Sequence, residues 1–288
     1  LCNRNQRVRV NGKFSTWHKV LSRIPQGSVL GPLLFIIYIN DLVELCEKNA
    51  NIFLFADDAK LFKHVSCPSD QVALQQACNA LSSWSDQWLM PLNVNKCILV
   101  RIGKINNLVN YDDYYLTLKN ITSKLSAVTS VKDLGVIIDD RLNFNEHIHA
   151  KINKAYSILG IIKRNFKHMD CYTFVKLYKT MVRSHLEYAA SVWAPSGKGK
   201  IDDLERVQRR ATKMIKRCHK MSYSDRLEYL KLPTLTYRRT RGDMIEVYKI
   251  LTNKYDSNVT LDLCLSNCTN TRGNALKLTT VRPHLDIR

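Results

Sequence analysis

Before Asp41 the sequence has no acidic residue, although the 288-residue chain carries 44 Lys and Arg against 25 Asp and Glu. It also lacks any apolar run near the ~20 residues that cross a bilayer; Val29–Ile39 comes nearest, and Gly31-Pro32 interrupts it. The polar, basic N-terminus lacks the apolar core of a signal peptide. Nine scattered cysteines fit reduced thiols, so the sequence predicts an intracellular protein of the nucleus or cytoplasm with no membrane partner.

A pair of adjacent acids, Asp57 and Asp58, follows the apolar run Ile52–Phe55. The run predicts a buried strand and Ala59–Phe62 its antiparallel partner, which places both carboxylates at the turn between them. Two uncompensated acids on a hydrophobic hairpin cost stability. A hard cation such as Mg²⁺ would remove that cost and keep open positions for a triphosphate.

Other Asp-Asp pairs show how weak such a pair is by itself. Asp112-Asp113 follows a loop-like segment with no continuous apolar strand. Asp139-Asp140 does follow an apolar run, but Arg141–Phe144 behind it predicts a turn and the start of a helix. Asp202-Asp203 begins an amphipathic helix, where acids complement the helix dipole. The surroundings of each pair must therefore decide which one is a site.

The motif Pro25-Gln26-Gly27-Ser28 lies upstream of Asp57-Asp58 at short range. By itself it predicts an ordinary turn and a helix N-cap. Together, the stretch Ile24–Leu42 and the sequence Phe55–Asp58 resemble the template-handling and metal-binding motifs of a reverse transcriptase. The likeness is to non-LTR retrotransposons of the jockey or CR1 type.

The resemblance extends over most of residues 7–250. Leu92–Cys97 is similar to the family's lysine motif, and Val131–Val136 is similar to its primer-grip strand. The basic helices from about residue 147 to 217 resemble its thumb. The implied fold class is α+β, a partial polymerase palm (an antiparallel sheet with helices) followed by an all-α thumb bundle. The resemblance implies three regions: a palm with the primer-grip strand over 1–146, a basic helical thumb over 147–254, and a loosely ordered tail over 255–288.

The resemblance implies an RNA-directed DNA polymerase that transfers nucleotides to a primer 3′ end. Its partners would be an RNA template, a DNA primer and a dNTP, and its cofactor Mg²⁺, with Mn²⁺ as a substitute. Asp57 and Asp58 are the expected metal ligands. Lys96 either neutralises the leaving pyrophosphate or is a surface lysine after a turn. The expected template and nucleotide contacts are Pro25, Gln26, Gly27 and Ser28.

Two departures from the family pattern stand out. Polymerases of this family hold two metal ions with three aspartates, and the first aspartate lies on a strand well before Pro-Gln-Gly. Since no acid precedes Asp41, the sequence is expected to be the C-terminal part of a longer polymerase. Arg23 also stands where the family usually has glycine, and arginine tolerates fewer backbone angles.

Positive charge is concentrated in residues 151–254, which hold 24 Lys and Arg against 9 Asp and Glu. A face of this kind binds phosphate backbones by releasing counterions, whereas the alternative is a solubilising surface. The cations expected to contact the nucleic-acid backbone lie on the polar side of one predicted helix: Arg206, Arg209, Arg210, Lys213 and Arg217.

Periodicity predicts the elements of the first half. Asn11-Gly12 predicts a hairpin, and residues 33–46 predict a buried helix with Asp41 at its surface or end. A further helix is predicted to bury one face that contains Trp84 and Trp88, which favours core packing over base stacking. Short strands are expected around residues 97–102, 114–118 and 132–138.

From Asn145 onward the sequence predicts helices, with Gly197–Lys200 as a flexible connector. Three apolar stripes mark them: Ile148, Ile152, Ala155, Leu159 and Ile162; Phe174, Leu177, Met181 and Val182; and Ile201, Leu204, Val207, Ala211 and Met214. Two other functions stay open. One is a noncatalytic nucleic-acid-binding remnant of such a polymerase, favoured by the absent first aspartate. The other is an RNA-directed RNA polymerase, which also uses acid pairs on a hairpin.

Overall fold

The computed structural model describes residues 4–20, 27–103, 113–256, 260–266 and 276–279. The strands are β1 Arg4–Gln6, β2 Arg9–Val10, β3 Lys13–Phe14, β4 His18–Val20, β5 Asn51–Phe55, β6 Asp58–Phe62, β7 Ile98–Val100, β8 Tyr115–Leu118, β9 Ile121–Lys124, β10 Ser126–Val128, β11 Ser130–Asp133 and β12 Val136–Asp139. The α-helices are α1 Leu30–Ile39, α2 Asp41–Glu47, α3 Pro68–Gln87, α4 Asn145–Asn165, α5 Cys171–Leu177, α6 Arg183–Glu187, α7 Ala190–Trp193, α8 Lys198–Thr212, α9 Tyr223–Tyr229 and α10 Leu235–Leu251. Short 3₁₀ turns lie at Val94–Lys96 and Lys216–Cys218, and a π-helical turn lies at Tyr178–Val182.

The chain forms two compact units, Leu1–Val128 and Thr129–Arg288. Helices and strands occur in both, so the α+β class is confirmed. The strands of the described residues pair as two-stranded ladders, and β7 pairs with β10 in parallel while the others are antiparallel. The predicted division into palm, thumb and tail stays a prediction.

A twisted hairpin opens the first unit. Asn11 and Gly12 connect β2 to β3 with φ values of 49° and 81°. Two positive φ angles in a two-residue loop suit the twist of the flanking strands, and Asn-Gly adopts them at low cost. The predicted hairpin is confirmed, and β1 pairs with β4 outside it.

The predicted helix over 33–46 is present, but it begins at Leu30 and is divided at Asn40 into α1 and α2. Asp41 begins α2, as predicted, and its carboxylate accepts hydrogen bonds from Nε1 of Trp84 at 2.7 Å and of Trp88 at 3.1 Å. Trp84 is buried, which confirms its core packing, whereas Trp88 is 39% exposed.

The prediction that this helix would be buried is wrong for α1. Its Ile36 and Ile37 side chains are 62% and 65% exposed, and only Ile39 of α1 is buried. The cause is that α1 is apolar around its whole circumference, while α2 and its neighbours cover only its C-terminal end. Long helix α3 begins after Cys67, with Pro68 at its first position, and ends before Pro91, as predicted.

The second unit is a helical core with one hairpin packed on it. The stripes of α4 and α8 are confirmed, because their central residues are buried in a single cluster. Met181 of the third stripe is 42% exposed, contrary to prediction. The π-helical turn Tyr178–Val182 inserts an extra residue, which moves Met181 outward and buries Tyr178 instead.

Two sequence predictions for the second unit need correction. Residues 132–138 do not form one strand; β11 and β12 form a hairpin whose turn is Leu134-Gly135, with φ values of 42° and 86°. Gly197–Lys200 is not a flexible connector, since α8 begins at Lys198. Within the predicted tail, Leu265 bridges Leu278. No helix of the described residues is long and apolar enough to span a membrane.

Candidate active site and nucleic-acid surface

The acid pair lies at the end of the predicted hairpin. Phe55 pairs with Asp58, so Ala56 and Asp57 form a two-residue turn between β5 and β6. Ala56 has a φ of 52°, in the region that favours glycine. A non-glycine residue in this region costs free energy, and such strain is often found at functional sites. The hairpin therefore places both aspartates at an exposed, sharply turned tip.

The two faces of the acid hairpin differ. Ile52, Leu54 and Leu61 pack into the core formed with α1, α2 and α3. Residues paired across an antiparallel ladder share a face, so Asp58 lies on the opposite face with Phe55. That face also carries Phe53, which is 52% exposed. The strand is thus buried on one face only, so the prediction of a buried strand holds for that face alone.

The donor set of the acid pair suits a hard divalent ion. Both carboxylates are exposed and offer oxygen ligands, which Mg²⁺ and Mn²⁺ prefer. Over the part of the chain that the structure describes, no three His, Cys, Asp or Glu side chains are grouped to hold a metal. Asp57 and Asp58 can therefore supply part of a coordination shell, with water, phosphate oxygens or another carboxylate completing it.

Gly27 and Ser28 precede α1 and have distinct local roles. Gly27 has a φ of 79°, and a Cβ built on it meets no atom within 4 Å. The Ser28 hydroxyl accepts a hydrogen bond from the Gly31 N–H at 3.1 Å, so Ser28 caps the first turn as expected. Pro25, Gln26 and the unusual Arg23 lie outside the described residues.

Lys96 ends the 3₁₀ turn Val94–Lys96, just before β7. Its backbone N–H donates to the Asn93 carbonyl at 2.9 Å, and its side chain is exposed. Among the described residues, no hydrogen bond or ion pair joins Lys96 to Asp57 or Asp58. The role predicted for Lys96 stays a prediction.

The Asp139 carboxylate has a structural role. It accepts backbone hydrogen bonds from Arg141 at 3.1 Å, Asn143 at 3.0 Å and Phe144 at 2.6 Å. Partial burial raises the pKa of Asp139, but these hydrogen bonds together outweigh it, so the pKa is lowered overall. The acid closes the turn that leads into α4, as the sequence indicated.

The remaining acid pairs are also engaged locally or lie outside the description. Asp113 forms an ion pair with Lys124 at 2.7 Å, and Asp203 forms one with Arg206 at 3.0 Å, one helical turn away. Asp112 lies outside the described residues. These contacts favour structural roles for the acids that form them.

The predicted backbone-binding cations are all exposed, but their surroundings differ. Arg209 and Arg210 lie over the rings of Tyr223 and Tyr156, each 5.2 Å from the ring centroid. A hydrogen bond with Tyr229 raises the pKa of Arg217. At 100° per residue, the α-helical positions 206, 209 and 210 and the adjoining 213 fall within an arc of about 100°. The first four cations therefore share one face.

Sequence reasoning missed the residues that hold the β11–β12 turn. Lys151 Nζ donates to the Gly135 carbonyl at 3.1 Å, and the Tyr188 hydroxyl donates to the Leu134 carbonyl at 2.8 Å. The Ile137 N–H donates to Nδ1 of buried His147 at 3.0 Å, and burial lowers the pKa of His147 to about 4. The available signal was the pair Leu134-Gly135, because glycine marks a turn between apolar runs.

Comparison with known families identifies the family of the region that carries the acid hairpin. Residues 2–138 match the family model described as "Reverse transcriptase (RNA-dependent DNA polymerase)". That region includes the acid hairpin, the Pro-Gln-Gly-Ser motif and Lys96. The chain therefore carries a reverse transcriptase domain.

The curated relatives narrow the family. The chain is 27% identical over 231 residues to the probable RNA-directed DNA polymerase from transposon X-element of Drosophila melanogaster, covering 73% of this chain and 23% of that protein. It is 29% identical over 222 residues to the polymerase from mobile element jockey of Drosophila funebris, covering 72% and 23%. The Pol polyprotein of element R1 from Nasonia vitripennis is 22% identical over 202 residues, covering 67% and 57%.

These relatives assign the reverse transcriptase domain to the jockey-like family of non-LTR retrotransposons. The predicted family is thereby confirmed. The chain spans about a quarter of the length of the X-element and jockey proteins. No solved structure matches it.

Proposed function

We propose that this chain is the part of an RNA-directed DNA polymerase that carries the metal-binding acid pair. The observation that supports this most is the exposed pair Asp57-Asp58 at a two-residue turn, inside the region that matches the reverse transcriptase family. The proposed partners are an RNA template, a DNA primer and a dNTP. The proposed reaction is attack of the primer 3′ oxygen on the α-phosphorus, with pyrophosphate leaving.

Asp57 and Asp58 would hold Mg²⁺ or Mn²⁺ through their carboxylate oxygens. When bound, such ions neutralise phosphate charge and favour ionisation of the attacking hydroxyl. Gly27, whose Cβ position is open, leaves room for close approach of a template backbone or nascent base pair, with Pro25, Gln26 and Ser28 beside it in sequence. Lys96 would neutralise or protonate the leaving pyrophosphate.

The two compact units would have different roles, one in the chemical step and the other in binding the primer–template. The first carries the acid hairpin and serves as a partial palm, and the basic helices of the second serve as a thumb. Helices α4 and α8 pack through their apolar stripes, which leaves exposed cations such as Lys154 of α4 and Arg209 of α8 on their outer sides. A surface of this kind binds the phosphates of a primer–template duplex whatever its base sequence.

Binding of a paramagnetic ion tests the acid pair in residues 1–288 themselves. In a Mn²⁺ titration followed by electron paramagnetic resonance, the wild type should bind Mn²⁺ more tightly than Asp57→Asn. Asp139→Asn is the matched control, because Asp139 already accepts three backbone hydrogen bonds. Equal Mn²⁺ affinity for wild type and Asp57→Asn, in folded proteins, would contradict the proposed metal site.

A noncatalytic nucleic-acid-binding protein is the second candidate. It is favoured by the lack of a third metal-ligating side chain beside the acid pair among the described residues. The basic face of α8 would carry this function. Each phosphate contact adds about 0.7 to 0.9 to the slope of log affinity against log salt.

Arg209→Gln with Lys213→Gln should therefore flatten the salt slope for primed RNA by up to about two units. Lys249→Gln is the control, because Lys249 lies on α10 outside the predicted set of contacts and is paired with Glu246 at 2.9 Å. An unchanged slope and unchanged affinity for the double variant would mean that this face is merely solvated.

A further inference from the structure

We propose that the N-terminal hairpin, Arg7–Trp17, binds a single-stranded stretch of nucleic acid on one of its two faces. The reasons are an arrangement of arginines and aromatic rings, an absence of acids and a register that separates the two faces. This inference rests on the proposed function only in taking a nucleic acid as the partner.

The register of the hairpin places two arginines and two aromatic rings together. Arg9 pairs with Phe14 across β2 and β3, so their side chains share a face. The Arg7 guanidinium lies 3.8 Å from the centroid of the Phe14 ring and 4.5 Å from that of Trp17. The Arg9 guanidinium lies 5.3 Å from the Phe14 centroid. We call Arg7, Arg9, Phe14 and Trp17 the stacking face.

The other face of the same hairpin is different in kind. Val10 pairs with Lys13 and is 63% exposed, and Val8 is 64% exposed. Among the described residues of the hairpin, this face carries the cation Lys13 and no aromatic ring. The hairpin therefore contains its own control, because a positive charge can be removed from either face separately.

Charge selects an anionic partner. Residues 4–20 contain five Lys and Arg and no Asp or Glu, and every residue from Asn5 to Lys19 is exposed. An exposed cation gains free energy when it meets phosphate and releases counterions. A wholly apolar partner would leave these charges desolvated and unpaired.

The rings select a single strand. Phe14 is 50% exposed and Trp17 is 61% exposed, and arginine stacked against them presents a further flat surface. Bases stack on such surfaces when they are not already stacked in a duplex. A-form duplexes are held instead by shape, phosphates and 2′-hydroxyls. The combination of stacking surface and positive charge therefore fits an unpaired stretch of RNA or DNA.

The test uses residues 1–288 and a short fluorescent single-stranded RNA, with binding followed by anisotropy at fixed salt. Phe14→Ala should weaken binding about 5- to 150-fold, the range expected for loss of one base–aromatic stack. Binding to a blunt duplex RNA should change less than about twofold. Arg9→Gln should weaken single-strand binding more than Lys13→Gln, although both remove one charge.

Ultraviolet cross-linking of the wild-type protein to the single-stranded RNA provides a second measurement that needs no variant. The cross-linked peptide should contain Phe14 or Trp17. The inference is overturned if Phe14→Ala binds like the wild type, or if Lys13→Gln and Arg9→Gln lose affinity equally. Competition with a polyglutamate peptide gives a further test. If this peptide displaces the RNA as effectively as an unlabelled single-stranded RNA does, the inference is overturned in favour of an acidic protein partner.

The hairpin variants and the α8 variants together distinguish a failure of this inference from a failure of the proposed function. If Arg209→Gln with Lys213→Gln flattens the salt slope for primed RNA while the hairpin variants change nothing, the hairpin inference alone fails. If no single-stranded or primed RNA binds residues 1–288 at low salt, the nucleic-acid partner itself fails.

Discussion

Two hairpins of this chain each carry a pair of adjacent aspartates, and their surroundings are opposite. In β5–β6 the pair Asp57-Asp58 lies at an exposed two-residue turn. In β11–β12 the pair Asp139-Asp140 lies at the far end, and Asp139 accepts three backbone hydrogen bonds. The first carboxylates are open to a ligand, while the second carboxylate is used by the fold.

The turns of the two hairpins differ in the same way. Tyr188 and Lys151 hold the Leu134-Gly135 turn through its carbonyls. The Ala56-Asp57 turn is exposed at the tip of β5–β6. The two acid pairs therefore differ in the segment that follows the strand. A two-residue turn leaves the carboxylates of Asp57 and Asp58 exposed, whereas the N–H groups before α4 form hydrogen bonds with the carboxylate of Asp139.

The largest effect expected from the difference between the two hairpins is on DNA synthesis. Residues 1–288 alone should incorporate no labelled dNTP on a primed RNA template, because the open hairpin supplies only two carboxylates and no third metal-ligating group lies beside it in the described residues. A filter-binding assay with Mg²⁺ and with Mn²⁺ measures this. Template-dependent incorporation that Asp57→Asn abolishes would contradict the expectation.

The next effect is on the stability of the structural acid. Asp139→Ala should lower the free energy of unfolding by about 1 to 2 kcal/mol, because the N–H groups at the start of α4 lose their acceptor. Since the folded-state pKa of Asp139 is lowered, this contribution is present above its ordinary value of 3.8 and is lost as the pH falls through the folded-state value. Urea unfolding across that range checks both points.

The matched change at the open hairpin, Asp57→Ala, should not reduce unfolding free energy, because Asp57 is exposed at a turn tip. A similar loss for Asp57→Ala and Asp139→Ala would erase the difference between the hairpins. If the difference in unfolding free energy between wild type and Asp139→Ala stayed constant as the pH fell well below 3.8, the assigned role of the ionised Asp139 would be excluded.

A smaller effect concerns the turns. Gly135→Ala should cost about 1 to 2 kcal/mol, because Gly135 has a φ of 86° and an added Cβ would lie 3.2 Å from the Tyr188 ring. Ala56→Gly is the control in the opposite direction and should change stability by less than about 0.5 kcal/mol, since relief of strain offsets added chain entropy. Thermal unfolding of the two variants measures this; equal costs would contradict the difference in turn environment.

Local patterns predicted much of the fold. The hairpin at Asn11-Gly12, the acid hairpin and the stripes of α4 and α8 follow from turn chemistry and periodicity. The apolar residues on both sides of Leu134-Gly135 predict a single strand, because they outweigh the turn signal of Gly135; the structure has a turn there, with positive φ values at both residues. The π-helical turn at Met181 carries no sequence signal, since it depends on packing around Tyr178.

The candidate site was predictable in part. The motifs around Asp57-Asp58 predict that this pair is the site, which stays a prediction, and the structure places the pair at an exposed turn. It did not reveal the exposed face of α1, because apolar composition alone cannot say what covers a helix. It also did not reveal the stacking face near Phe14, since this depends on the strand register.

The most direct test compares Asp57→Asn with Asp139→Asn in the longer polymerase of which we propose this chain to be a part. Single-turnover primer extension should fall by several orders of magnitude for Asp57→Asn with primer–template affinity nearly unchanged, because the lost interaction is with the metal and the transition state. Asp139→Asn should extend primers at close to the wild-type rate. If Asp139→Asn, in a folded protein, slowed the chemical step as much as Asp57→Asn, the assignment of the open hairpin as the catalytic one would be wrong.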